Sequence, residues 1–153
     1  MMSRERFVLD TNVIVSAVLS PRSVPRQALD RAFLLGTVLV SNSILVEVDD
    51  VLRRPKFERY VSEEERLQSL AKFVGDAMIV EVTEVVTDCR DSKDNKFLEL
   101  AISGGAKYII SGDADLLVLD PFRGISIVTP QVFVIDIHPI AALSHRKRFD
   151  SLS

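Results

Sequence analysis

The chain has 153 residues, of which 47% are apolar and 27% charged, and its formal charge is −3. This is ordinary composition for one globular domain, and no window approaches the ~20 uncharged apolar residues of a membrane span. Cys89 is the lone cysteine, which excludes an intrachain disulfide and a cysteine-rich zinc site and fits a reducing, cytoplasmic setting. The acidic balance speaks mildly against a nucleic-acid binder, unless several acids gather at one bound cation and leave the remaining surface near neutral.

In chain order, Arg4, Glu5 and Arg6 precede a strand, which is not the pattern of a signal peptide. Phe7 to Leu9 read as that strand and Val13 to Leu19 as a short apolar helix. Pro21 and Pro25 break the chain, and Pro25 suits the first turn of a helix running from Gln27 to Leu35 and ended by Gly36. "TVLVS" predicts a strand, and Ser41 or Ser43 caps a helix through Leu52, stopped by Pro55. Ser62 with Glu65 forms a capping box for a helix that stops at Gly75. "AMIVEV" predicts a strand, Lys93 to Ser103 a helix closed by Gly104 and Gly105, and "KYIIS" a strand. "DADLLVL" predicts a short helix, "ISIVT" a last strand, and Pro130 starts one more helical turn. Residues 137–153 are less patterned and basic from His145 to Arg148, and read as a docking helix or a tail. Strands alternating with helices, with no hairpin signal, predict an α/β fold with a mostly parallel sheet flanked by helices.

The acids carry the chemistry. Asp10 ends the first strand, Glu47 lies inside the "SNSILVEVDDVLRR" helix, Asp91 and Asp94 open the "CRDSKDNKFLELA" helix, and Asp113 and Asp115 follow "KYIIS". Each has a plain structural reading. Asp10, Asp91 and Asp113 suit helix N-caps, Asp94 suits a first helical turn, and Glu47 falls at the edge of an apolar stripe where an acid can reach solvent. The functional reading rests on topology, because residues that follow parallel strands gather along one sheet edge. Asp10, Asp94 and Asp113 therefore converge, and clustered carboxylates need protons or a hard cation. With only His138 and His145 for imidazoles, both near the end of the chain, oxygen ligation points to Mg²⁺ or Mn²⁺ over zinc.

"VLDTNVIVSAVL", the helical Glu47, "DSKDNKFLELA" and "IISGDADLL" resemble, in that order, the acidic motifs of the PIN-domain nucleases, and most closely the toxin branch of toxin–antitoxin systems. The resemblance runs from about Arg6 to Ile135, and so implies a PIN-like domain over residues 1–136 and a separate tail over 137–153. It implies a three-layer fold in which Asp10, Glu47, Asp94 and Asp113 are the acidic quartet binding Mg²⁺ or Mn²⁺. Asp115 matches an additional acid, and Thr11, Asn12 and Ser111 would support the ligands. It further implies hydrolysis of single-stranded RNA by water, an antitoxin partner and a homodimer. Arg22, Arg26, Arg53, Arg54 and Lys56 are basic candidates for RNA contact, with Arg146 to Arg148 in the tail; Phe57 and Tyr60 could stack a base or anchor the core. Two other classes compete. A haloacid-dehalogenase-like phosphatase needs a second aspartate where Asn12 stands. A non-catalytic PIN-fold module that binds RNA or protein would have no need of clustered carboxylates.

Overall fold

The computed structural model describes residues 5–136, so the readings made for residues 137–153, among them His138, His145 and the basic run, lie outside the described residues. The first strand, β1 (Glu5–Leu9), is the apolar run that opens the sequence. Phe7, Val8 and Leu9 are at most 1% exposed, as expected of a parallel strand covered on both faces. The chain then alternates: α1 (Thr11–Leu19), α2 (Val24–Leu35), β2 (Gly36–Val40), α3 (Asn42–Leu52), α4 (Glu63–Asp76) and β3 (Met78–Ile79). The second half contributes α5 (Asn95–Gly104), β4 (Tyr108–Ile110), α6 (Ala114–Leu117), β5 (Ser126–Val128) and α7 (Pro130–Asp136). Single 3₁₀ turns at Pro55–Phe57 and Ser92–Asp94 precede α4 and α5.

All five strands pair in parallel, in the order β3-β2-β1-β4-β5. The first strand is thus central: Phe7 stands beside Val38 of β2 on one side and Tyr108 of β4 on the other. Burying Phe7 is worth about 1.5–3 kcal/mol, and its ring also meets Tyr108 and Phe133 at 5.7 and 5.4 Å, which fastens α7 to the sheet. α5 packs across β1, β2 and β4, while α2 packs on β1 and β2 and holds α1 and α7. Two glycines are dictated by this packing. A Cβ on Gly36 would lie 1.9 Å from the Glu5 carbonyl oxygen, and Gly105 takes φ +70° to end α5.

The local signals operate as the sequence predicts. Ser62 accepts from the Glu65 N–H while its hydroxyl donates to the Glu65 carboxylate, and Ser41, not Ser43, caps α3. Most boundaries shift by a residue or two: α1 begins at Thr11, not Val13, and α4 runs through Gly75 to Asp76. α2 begins at Val24, with Pro25 in its first turn where no N–H is needed. The helix expected from Lys93 is preceded by the 3₁₀ turn, capped by Asp91 through the Lys93 N–H. Of "AMIVEV", only Met78 and Ile79 form a strand, because this edge segment has one neighbour, β2, and both residues are largely exposed.

Candidate active site

Two strand ends and two helices meet where the central strand finishes. The Asp10 N–H still donates to the Ile110 carbonyl, continuing the β1–β4 pairing one residue beyond the strand. This fixes Asp10 opposite Ser111, one step past the end of β4. The Ser111 hydroxyl is fully buried; it donates to Asp10 Oδ2 and accepts from the Asp113 N–H at 2.9 Å. One hydroxyl therefore ties the first acidic motif to the last.

The resulting cleft, about 230 Å³, is lined by Asp10, Thr11, Asn12, Glu47, Val51, Arg54, Asp94, Phe97 and Asp113. All four acids of the predicted quartet face it. A larger cavity, about 540 Å³, lies among α1, α2 and α4 behind Leu29, Phe33 and Phe73; none of those acids lines it.

Two of the cleft acids are also helix caps. Asp10 is 4% exposed and caps α1 with Oδ1, which accepts from the Val13 N–H at 2.8 Å. Burial pushes its carboxyl up from the ordinary value; the bonds from Ser111 and Val13 oppose that, and the charges of Asp113 and Glu47 add to it. Asp113 caps α6 by accepting from the Asp115 N–H at 2.8 Å. Glu47 is aimed inward from the middle of α3: Oε1 accepts from the Thr11 hydroxyl and pairs with Lys96 Nζ at 3.3 Å.

Asp94 differs from the others because it makes no capping bond. Its Oδ2 is buried, and no protein group donates to it. Its carboxyl lies within hydrogen-bonding reach of Asp113, which two ionised acids do not tolerate. Burial first, then the bond to Asp113 and the charges of Asp113 and Asp91, push Asp94 from 3.8 up to about 7, against the opposing charge of Lys96.

The remaining predicted residues divide. Thr11 is buried against Glu47, and Asn12 is exposed on the cleft wall. Asp115 does not line the cleft; both its oxygens are taken by Arg90, at 2.9 and 3.1 Å. Arg54 lines the cleft and also pairs with Asp50 at 3.5 Å. Arg53 is held by Asp49 at 3.0 Å and faces Glu63 at 3.6 Å. Arg26 pairs with Asp30 on the rim of the larger cavity, Arg22 is exposed in the α1–α2 loop, and exposed Lys56 lies over the Phe57 ring. Phe57 is half-buried against the core and Tyr60 is exposed.

Sequence reasoning missed two cations. Lys96 reads as an ordinary helix-surface lysine, yet it reaches Glu47. Arg66 reads as part of the polar face of α4, yet it is 1% exposed and donates to the carbonyls of Leu52 and Arg54 and to Glu58. It thereby holds the turn that delivers Arg54 to the cleft.

The oxygen-only lining suits a hard divalent cation, and the undonated Asp94 Oδ2 is the kind of atom such an ion satisfies. Among the described residues, however, no three Asp, Glu, His or Cys side chains are gathered into a finished metal cage. Asp10, Glu47 and Asp113 have instead taken a hydroxyl, an N–H or an ammonium.

Residues 6–115 match the family model for the PIN domain. The chain belongs to the PIN-domain family. That family is generally one of nucleases. This PIN chain is 37% identical over 116 residues to the uncharacterized protein MJ1680 of Methanocaldococcus jannaschii, covering 74% of each. Its fold resembles VapBC2 from Rickettsia felis, solved bound to a DNA fragment from its promoter, with a TM-score of 0.56 at 13% identity over 81% of this chain and 98% of that one. It also resembles PAE2754 from Pyrobaculum aerophilum, with a TM-score of 0.53 at 13% identity over 86% and 88% of the two chains. These likenesses establish the PIN fold. Among the described residues, no helix is long and apolar enough to cross a membrane.

Proposed function

We propose that this PIN domain is an Mg²⁺- or Mn²⁺-dependent endoribonuclease of single-stranded RNA, acting in the cytoplasm as the toxin of a toxin–antitoxin pair. The observation that carries the reading is Asp94: a buried carboxylate oxygen without a donor, beside a second carboxylate, in a cleft shared with Asp10 and Glu47. Asp10, Asp94 and Asp113 would hold the ion, with Glu47 across the cleft and Asp115 outside unless Arg90 releases it. When bound, the ion would offset the charge of a phosphodiester and make an attacking water more acidic.

The chain's own groups prepare the site. Val13 N–H and Ser111 Oγ fix both oxygens of Asp10, so its orientation is set before any ligand arrives. Thr11 holds Glu47 in the same way. Arg54 offers a cation to the phosphate backbone at the cleft wall. Ser111 is no nucleophile, because its proton is given to Asp10 and its lone pair to Asp113 N–H. Attack by water leaves a 5′-phosphate and a 3′-hydroxyl.

The toxin reading is supported by the sequence motifs and by the fold shared with VapBC2. An antitoxin that offers a cationic side chain to the acids would quiet such a site, and a homodimer would fit the same class. The competing reading is a PIN module that holds RNA without cutting it. The two separate in one assay. Purified protein stripped with EDTA is given labelled single-stranded RNA, then Mn²⁺ or Mg²⁺. Restored cleavage to 5′-phosphate ends, lost by at least about a hundredfold in Asp10→Asn, supports the nuclease. RNA binding with no cleavage in either metal supports the module and overturns the nuclease.

A further inference from the structure

Lys96 takes no part in the chemistry described so far. This lysine enters the first turn of α5, two residues after Asp94, and its side chain is only 21% exposed, against 79% for Lys72 on α4. It is not spread on the surface. Its ammonium donates to the Lys93 carbonyl at 2.5 Å, pairs with Glu47 Oε1 at 3.3 Å, and lies 5.0 Å from the ring centre of Phe97, which lines the cleft. One ammonium is thus anchored by a backbone carbonyl on the Glu47 side of the cleft.

That position decides how the acids divide. One oxygen of Glu47, Oε1, already takes both a cation and a hydroxyl donor, from Lys96 and Thr11. Asp94 has an oxygen with no donor at all. A divalent ion approaching Glu47 meets a fixed positive charge within contact range, whereas one approaching Asp94 and Asp113 meets two carboxyls, one with an oxygen that no protein group serves. Two hard cations together with Lys96 would overfill the Glu47 side.

We propose that Lys96 is a built-in cation of the cleft: it takes the Glu47 side, so that the site takes up a single divalent ion, on the side of Asp10, Asp94 and Asp113. Lys96 then supplies a fixed positive charge behind the Glu47 wall, in addition to that of Arg54, which lines the cleft. This rests on the metal reading of the cleft, and it assigns the role that a second ion has in two-metal sites to a side chain.

The test counts ions. The full chain, stripped of metal, is titrated with Mn²⁺ by calorimetry, with free Mn²⁺ read in parallel by electron paramagnetic resonance. The wild type takes one Mn²⁺. Lys96→Met, which keeps the length and removes the charge, takes two, and Lys96→Arg returns to one. Lys96→Gln serves as a second neutral variant if Lys96→Met does not fold. Two ions in the wild type, or a single ion in the neutral variants, overturns the role of Lys96 while leaving the metal reading standing. No Mn²⁺ bound by any variant overturns both.

Discussion

Replacing Asp94 by asparagine should make the metal-free protein more stable, and the gain should depend on pH in a defined direction. Asp94 is raised from 3.8 to about 7 by burial and by Asp113. A raised acid pKa means that the folded state holds the proton more tightly than the unfolded chain. Folding is therefore helped by this group in acid. That help falls away as pH climbs from about 4 to about 7, and above about 7 the site carries the full repulsion. A shift of about three units corresponds to about 4 kcal/mol. Water at the cleft mouth and the sharing of the proton with Asp113 reduce this to about 2 kcal/mol. The asparagine amide keeps the shape and donates to Asp113 as a protonated carboxyl would. Because Asp94 makes no capping bond, nothing offsets the gain. In a domain of this size about 2 kcal/mol is a rise of about 4–8 °C in Tm. Thermal melts of wild type and Asp94→Asn in EDTA at about pH 8, 6, 5 and 4 read it. The difference should be largest at the most alkaline of these and nearly gone at the most acidic. An Asp94→Asn protein that melts at or below wild type at the alkaline end, or a gain of equal size at every pH, refutes the reasoning.

Asp115→Ala should leave cleavage within a few-fold of wild type and cost under about 1 kcal/mol, because its partner Arg90 is a solvent-exposed cation; a hundredfold loss with a normal melting curve would mean that Asp115 swings into the cleft. Arg66→Met should cost about 2–4 kcal/mol in urea unfolding, since it strands the buried carbonyl of Leu52 and removes the partner of the half-covered Arg54 carbonyl and of Glu58; a loss below about 1 kcal/mol would show that the Leu52 carbonyl finds water. Ser111→Ala should lower Mn²⁺ affinity by about 10–100-fold by freeing Asp10 to rotate, and calorimetric titration showing unchanged affinity would remove Ser111 from the site.

The sequence carries the alternation of strands and helices because β1 and β4 are continuous apolar runs and helices announce their ends with Ser41, Ser62 and Gly105. Asp10 and Asp113 are legible for a related reason: in a parallel sheet the position after a strand has one address, whatever else the residue does there. Capping could not be separated from site chemistry on paper, and in the fold it need not be, since a carboxylate has two oxygens. What stayed hidden depended on side-chain reach. Lys96 and Arg66 look like solvated helix charges until their long stems are seen to fold back toward Glu47 and the α3 terminus. The segment after Ile79 failed for the opposite reason. The Val80 N–H still reaches the Val40 carbonyl, but just past the expected strand the N–H groups of Thr83, Glu84 and Val86 go to the Ser103 and Glu99 side chains of α5 instead of a ladder.

The bond from Ser111 to Asp10 spans 101 positions of chain, and that separation sets a timetable. Pairing β1 with β4 is the kind of contact that forms late, because the intervening chain must first be ordered. A ribosome adding about 5–20 residues per second has exposed β1, β2 and the helices around them well before β4 leaves the tunnel. During that interval Asp10 exists, but neither Ser111 nor Asp113 stands beside it. Whatever the cleft does to its substrate, the growing chain cannot do it. The site comes into being only when the fourth strand docks against the first.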